Sequence, residues 1–264
     1  MFVSYKDNNL NKLKIKTTIS INFLLIDIIN INMKFIPKIK ELIVDKFPFL
    51  FALYNLFIKH KIFTKKSYYS DSGEDKFIIG QFKKKTGFYV DVGCHHPTRL
   101  NNCHLLYINK WRGINIDINK ISIELFKLVR KEDINLNYAV SLKEKNIPFF
   151  YDKPLSLYNS LVRSKELKFN KIIKSKKLTT LIDETKFKNK KIDFLSVDTE
   201  GTDLEVLKSL DFTRYQPKYI CLEIWGKEKN IKFNLKKDST YLFLMKKKYI
   251  LVFNKKENYI FKSL

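Results

Sequence analysis

The sequence predicts an α/β domain built on a mostly parallel sheet, and three observations carry that reading. From residue 86 onward short apolar runs alternate with segments patterned for helices, the signature of strands covered by helices on both faces. The chain closes on YILVFNKKENYIFKSL, two strands around a polar turn, which predicts an antiparallel edge. Several predicted strands end in an acidic residue, and ligands of open α/β sheets bind beyond those ends.

The elements follow in order. Residues 1–32 are rich in Asn, Lys and Ile and unlike the rest, so they read as an arm or a mis-assigned start, with Met33 opening the patterned chain. Residues 33–68 form a basic helical extension. Within it, residues 38–63 carry apolar positions at helical spacing between lysines, and Pro48 suits a first helical position, so two short helices are expected. Such a segment is too short to span a bilayer, which takes ~20 residues. It suits either peripheral contact with a membrane face or packing on protein. Residues 69–264 form the main domain. Strands are expected at Phe88–Val92, Gly113–Ile118, Ile134–Val140, Ile192–Val197 and Tyr219–Ile224, with helices over 100–110, Ser122–Arg130 and Asp203–Leu210. Residues 148–180 read as irregular, a hairpin or substrate loop.

Composition narrows the function. The net charge is +24, but only five of the 51 basic residues are arginine, the residue suited to bidentate phosphate and base contacts. The excess of Lys, Asn and Ile reads as compositional, and nucleic acid is not the expected partner. Three cysteines, Cys94, Cys103 and Cys221, make neither a disulfide framework nor a metal-ligand spacing. They suit a reducing compartment. The apolar run ISINFLLIDI is interrupted by Asp27 and lacks a cleavage site. A cytoplasmic protein, peripheral at most at the inner membrane face, is expected.

The strand ends carry the chemistry. FYVDVGCHHP places Asp91, Gly93, His95 and His96 after the first strand; Asp117 ends the second, Asp198, Glu200 and Gly201 the fourth, and Glu223 the fifth. A nicotinamide site wants G-x-G-x-x-G here, and one glycine leaves little room for a pyrophosphate. S-adenosylmethionine has no phosphate and carries a sulfonium and an ammonium, so it tolerates both the single glycine and the acids. Asp117, 24 residues beyond Gly93, is placed to accept hydrogen bonds from ribose hydroxyls. A neutral histidine near an acceptor hydroxyl suits a general base, with Asp198 as the rival. No metal is expected.

The stretches YSDSGEDKFI, GFYVDVGCHHP, NKWRGINIDIN and KIDFLSVDTEGTDLEVLKSLDF, followed by PKYICLEI, resemble the FkbM family of S-adenosylmethionine-dependent methyltransferases. The resemblance runs from about residue 69 to 225. It implies a Rossmann-like seven-stranded class I methyltransferase fold and O-methylation, often of sugar hydroxyls. Carried over, Asp91 and Gly93 fall in the cofactor loop, Asp117 on the ribose-binding acid, Asp198, Glu200 and Gly201 on a D-x-E-G element, and Glu74 and Asp75 on a G-E-D element. Asn102, Trp111, Arg112 and Gly113 match a further pattern. Asp71, Asn101, Cys103, His104 and Lys110 depart from it. The expected cofactor-binding residues are Glu74, Asp91, Gly93, Asp117, Asp198 and Glu200; the expected catalytic residues are His96, His95 and Asp198. The expected function is methyl transfer to a hydroxyl of a carbohydrate or glycosylated small molecule. The alternatives are a non-catalytic docking module or a nucleic-acid methyltransferase, which would want an Asn/Asp-Pro-Pro-aromatic turn where this chain has Asp198-Thr-Glu-Gly.

Overall fold

The computed structural model describes residues 46–54, 56, 67–83, 86–153, 155, 159–224 and 234–264. The chain divides into two compact units, residues 1–61 and 62–264. In the first, the described helix α1 spans Pro48–Tyr54 with Pro48 as its first residue, where a missing N–H costs nothing. The expected arm over 1–32, Met33 and the first of the two expected short helices lie outside the described residues.

The second unit holds a seven-stranded sheet. Its strands are β1 (Phe88–Val92), β2 (Arg112–Asp117), β3 (Ile134–Asn137), β7 (Phe194–Val197), β8 (Tyr219–Glu223), β9 (Tyr249–Lys255) and β10 (Asn258–Ser263), in the order β3-β2-β1-β7-β8-β10-β9. The first five are mutually parallel, and β10 runs antiparallel to both β8 and β9. This mostly parallel sheet with an antiparallel C-terminal pair is the arrangement that the sequence resemblance implies. Strand order turns between β1 and β7, so their C-terminal ends bound the crevice where such sheets bind ligands.

Alternation along β1 builds two layers. Phe88, Val90 and Val92 join Ile114, Ile116, Leu195, Val197 and the buried helical residues Leu178, Leu181, Val206 and Leu207 in one core. Those helices are α5 (Leu178–Asp183) and α6 (Asp203–Lys208). Tyr89 joins Trp111, Ile78, Leu106 and Phe194 on the opposite face, with α2 (Glu74–Gly80) and α3 (His104–Ile108). Full burial of each such apolar side chain contributes about 1.5–3 kcal/mol. Trp111 lies edge-on to Phe82 at 4.9 Å. Arg112 pairs with Glu132, just ahead of β3, rather than with a strand-end acid of the cleft.

The stretch read as a hairpin or substrate loop holds, among its described residues, an antiparallel pair: β5 (Asn146–Tyr151) and β6 (Phe169–Lys176), which turn Ile147, Phe149 and Ile173 into a small core of their own. One expectation changes: the third predicted strand divides, because Ala139–Val140 (β4) leaves the main sheet and pairs with β6. Helix α4 (Lys120–Val129) carries an Asn119 cap that accepts from the Ile121 N–H at 2.9 Å. Helices α7 (Phe212–Tyr215) and α8 (Ser239–Lys246) were not read from the sequence.

Candidate active site

A cleft of about 360 Å³ opens beyond the C-terminal ends of β1, β2, β7 and β8. Gly93, His95, Asp117, Asp198, Glu200 and Glu223 all line it. Gly93 has φ +77°, and a Cβ there would meet the Asp198 carbonyl oxygen at 1.7 Å. The loop after β1 passes against the end of β7 so closely that only glycine fits.

Asp117 is the most completely built of these groups. Its Oδ2 accepts from the His95 N–H at 2.8 Å and its Oδ1 from the Asn119 N–H at 2.7 Å. His95 adopts φ +48° to make that contact. Burial raises the Asp117 carboxyl to about 6, while the two backbone N–H groups oppose the shift. Each oxygen keeps a second lone pair at the cleft wall, which suits a diol.

Asp198, Glu200 and Glu223 converge on the other side. Burial pushes the Asp198 carboxyl well up, and Glu223 and Glu200 push it further. The Glu200 carboxyl rises to about 7 from burial first and the Glu223 and Asp203 charges next. Glu200 itself holds φ +52°, a left-handed conformation rare for non-glycine residues and concentrated at functional sites. The turn is pinned by Asp203, whose Oδ1 accepts from the Thr199 N–H and Oγ1 at 3.0 and 3.1 Å.

Other predicted residues stand behind the cleft wall. Asp91 is 3 % exposed and does not line the cleft. The alternation of β1 puts it on the Tyr89 face, where it accepts from Asn101 Nδ2 at 2.9 Å. Arg130, fully buried, reaches Asn101 Oδ1 at 2.5 Å and the Pro97 carbonyl at 2.6 Å. Its other nitrogen approaches Tyr89 Oη and Asn115 Oδ1, both at 3.3 Å. Tyr89 donates to Asp133, which also accepts from the Gly113 N–H at 2.8 Å. This network anchors the His-His-Pro loop from beneath. Glu74 is fully buried; its Oε2 accepts from the Ser72 N–H at 2.9 Å, and Oε1 has no hydrogen-bond partner among the described residues. Asp75 accepts from the Tyr69 N–H at 2.7 Å and Ser70 Oγ at 2.6 Å, which fixes the turn ahead of α2. His96 is 1 % exposed and does not line the cleft; its Nδ1 accepts from the Thr98 N–H at 3.2 Å.

The structure adds residues that sequence reasoning passed over. Ile118, Tyr138 and Val140 give the cleft an apolar wall beside Asp117, and Lys256–Asn258 bring the tip of the β9–β10 hairpin to its mouth. Lys256 Nζ lies 2.7 Å from Asp71 Oδ2 there. Val140, which ends the third predicted strand, was a usable signal. The hairpin tip gave none.

These features fit S-adenosylmethionine. Acidic groups at two places match a nucleoside diol and a cationic centre, the apolar wall matches an adenine, and no phosphate-binding glycine loop is present. Among the described residues no group of acids, histidines and cysteines is arranged to hold a metal ion.

The family model described as the methyltransferase FkbM domain matches residues 91–247. The chain belongs to the FkbM methyltransferase family. Its cofactor is accordingly S-adenosylmethionine. Among solved structures, a TehB-like S-adenosylmethionine-dependent methyltransferase from Corynebacterium glutamicum superposes with a TM-score of 0.38 at 12% identity, covering 73% of this chain and 88% of that one. No curated protein matches the sequence.

Proposed function

We propose that this FkbM methyltransferase methylates a hydroxyl of a carbohydrate or glycosylated small molecule. The observation that carries the proposal is the carboxylate group Asp198, Glu200 and Glu223 at the cleft, with Glu200 raised to about 7. Bound S-adenosylmethionine supplies an electrophilic methyl group on a sulfonium. An alcohol is a weak nucleophile until its proton leaves, and a base matched to neutral pH is best placed to take that proton. Glu200, raised to about 7 beside an Asp198 whose carboxyl burial pushes well up, is that base. The proton passes from the acceptor oxygen to the Glu200 carboxylate as the oxygen is methylated. The two carboxyls titrate as a pair, so Asp198 belongs to the same device. Of the two histidines, His95 stands in the cleft and is the one able to touch an acceptor.

Asp117 holds the ribose in this account, and Ile118, Tyr138 and Val140 flank the base. The acids of the cleft disfavour a phosphate backbone, which supports a small-molecule or glycan acceptor over nucleic acid. The three cysteines are buried and free, which supports the reading of a reducing, cytoplasmic compartment. Among the described residues no helix is long and apolar enough to cross a membrane.

The test is release of S-adenosylhomocysteine with a panel of glycosides. Glu200→Gln should lower turnover at saturating cofactor by ~10²–10⁴-fold. Unaltered turnover in that variant would sink the assignment of the base.

A further inference from the structure

A second depression adjoins the cleft at Glu200. It measures about 520 Å³ and is lined by Ser160, Val162, Ser164, Glu166 and Leu167, together with Glu200 and Asp152. Glu200 belongs to both spaces.

The wall between them is one short segment. Asn159 and Leu161 face the cofactor cleft, whereas Ser160 and Val162 face the outer depression. Residues next to one another in extended chain point to opposite sides, so a single strand-like stretch serves both spaces. That stretch is anchored through Ser160. Ser160 and Phe150 exchange backbone hydrogen bonds of 2.8 and 3.0 Å, which tie it to β5. Ser160 Oγ donates to the Glu200 carbonyl at 3.1 Å and accepts from the Val162 N–H at 3.0 Å. The left-handed turn at Glu200 and the segment 159–162 are thus one fixed unit, with the Glu200 side chain at the junction.

The lining also restricts what enters. Asp152, Glu166 and Glu200 are acidic, the serines offer hydroxyls, and Val162 and Leu167 give apolar surface. Among the described residues no lysine or arginine lines this depression, and Lys153 Nζ approaches Asp152 Oδ2 at 3.8 Å from beside it. Carboxylates and serines accept and donate to hydroxyls, and apolar patches suit the C–H face of a sugar ring. The same carboxylates repel phosphate, sulfate or a uronic acid placed among them.

We infer that this depression is the acceptor subsite, that it takes an uncharged hydroxyl-rich ring, and that it delivers one hydroxyl to the cofactor cleft at Glu200. The inference rests on the methyl-transfer reading above and specifies its substrate class. Val162, 55 % exposed, lines the subsite and belongs to none of the buried core clusters described above.

The experiment uses the full chain with S-adenosylmethionine and three probes: methyl β-D-glucopyranoside, glucuronate and glucose 6-phosphate. The neutral glycoside should be methylated at least about tenfold more efficiently, in kcat/KM, than either anionic sugar. Val162→Trp, which narrows the depression, should raise KM for the glycoside about tenfold while leaving cofactor affinity and thermal stability unchanged. Preference for an anionic sugar overturns the inference, as does an unchanged KM in Val162→Trp. So does absence of glycoside turnover in a protein that binds the cofactor. Failure of the wild-type chain to bind the cofactor would remove the methyl-transfer reading itself, a separate result.

Discussion

The Asp117 carboxyl makes a quantitative prediction. Burial raises it from 3.8 to about 6 in the folded, ligand-free protein. An acid whose folded value lies above its unfolded one favours folding when protonated. Its stabilising contribution, about 3 kcal/mol at full extent, is therefore fully present below about pH 3.8 and is lost as pH rises through about 6. Between pH 8 and pH 5 the wild type should gain about 1.4 kcal/mol relative to Asp117→Asn, whose amide does not titrate. For a unit of this size that is about 3–6 °C in the difference between the two melting temperatures. Asparagine keeps an oxygen for only one of the two N–H groups at His95 and Asn119, so a constant offset between the proteins is expected as well. The assay is thermal unfolding of both proteins without ligand across that range. A difference that stays flat with pH would refute the reasoning, because it would mean that Asp117 is ionised throughout or is not buried in the fold. The same titration links to the cofactor. If ribose hydroxyls bind the ionised form, affinity should fall about tenfold from pH 8 to pH 5.

Further predictions follow from the neighbouring residues. Arg130→Met strips the cation from a buried network that contains Asp91 and Asp133; it should cost about 3–5 kcal/mol and lower the melting temperature by roughly 10 °C. Gly93→Ala forces a Cβ into the Asp198 carbonyl and an unfavourable φ, so a loss of more than about 3 kcal/mol is expected, read by denaturant unfolding. His96→Ala should act on stability and His95→Ala on turnover, since only His95 lines the cleft; kinetics and melting of the two variants separate these effects. Lys256→Ala removes an exposed pair with Asp71 and should change stability by less than about 1 kcal/mol.

The sheet was legible because its signals are local. Each of Phe88–Val92, Arg112–Asp117, Phe194–Val197 and Tyr219–Glu223 is a short apolar run ending near an acid or a glycine, and the two strands of the tail flank an obvious turn. That Asp117, Asp198 and Glu200 line one cleft was readable for the same reason: strand ends converge in this architecture. What failed needs knowledge of direction or distance. His95 and His96 are adjacent, yet one lines the cleft and the other is buried outside it, because the positive φ at His95 is set by a hydrogen bond to a residue 22 positions away. Asp91 looks like a ligand-facing acid until β1 alternation assigns it to the Tyr89 face. Arg130 reads as an ordinary helix-ending cation, and only the fold brings Asn101, Asn115 and Pro97 around it. The bounds of the β5–β6 pair were obscured by Pro148 in β5 and by lysines interleaved with the apolar residues of β6. The acidic junction at Glu200 emerges only once that pair packs its leading segment against the end of β7.

The most direct test of the central claim is calorimetric titration of the full chain with S-adenosylmethionine at pH 8. The account predicts saturable binding that is lost in Asp117→Ala and retained in Val162→Trp. Absence of binding to folded wild-type protein, or binding indifferent to Asp117→Ala, would contradict it.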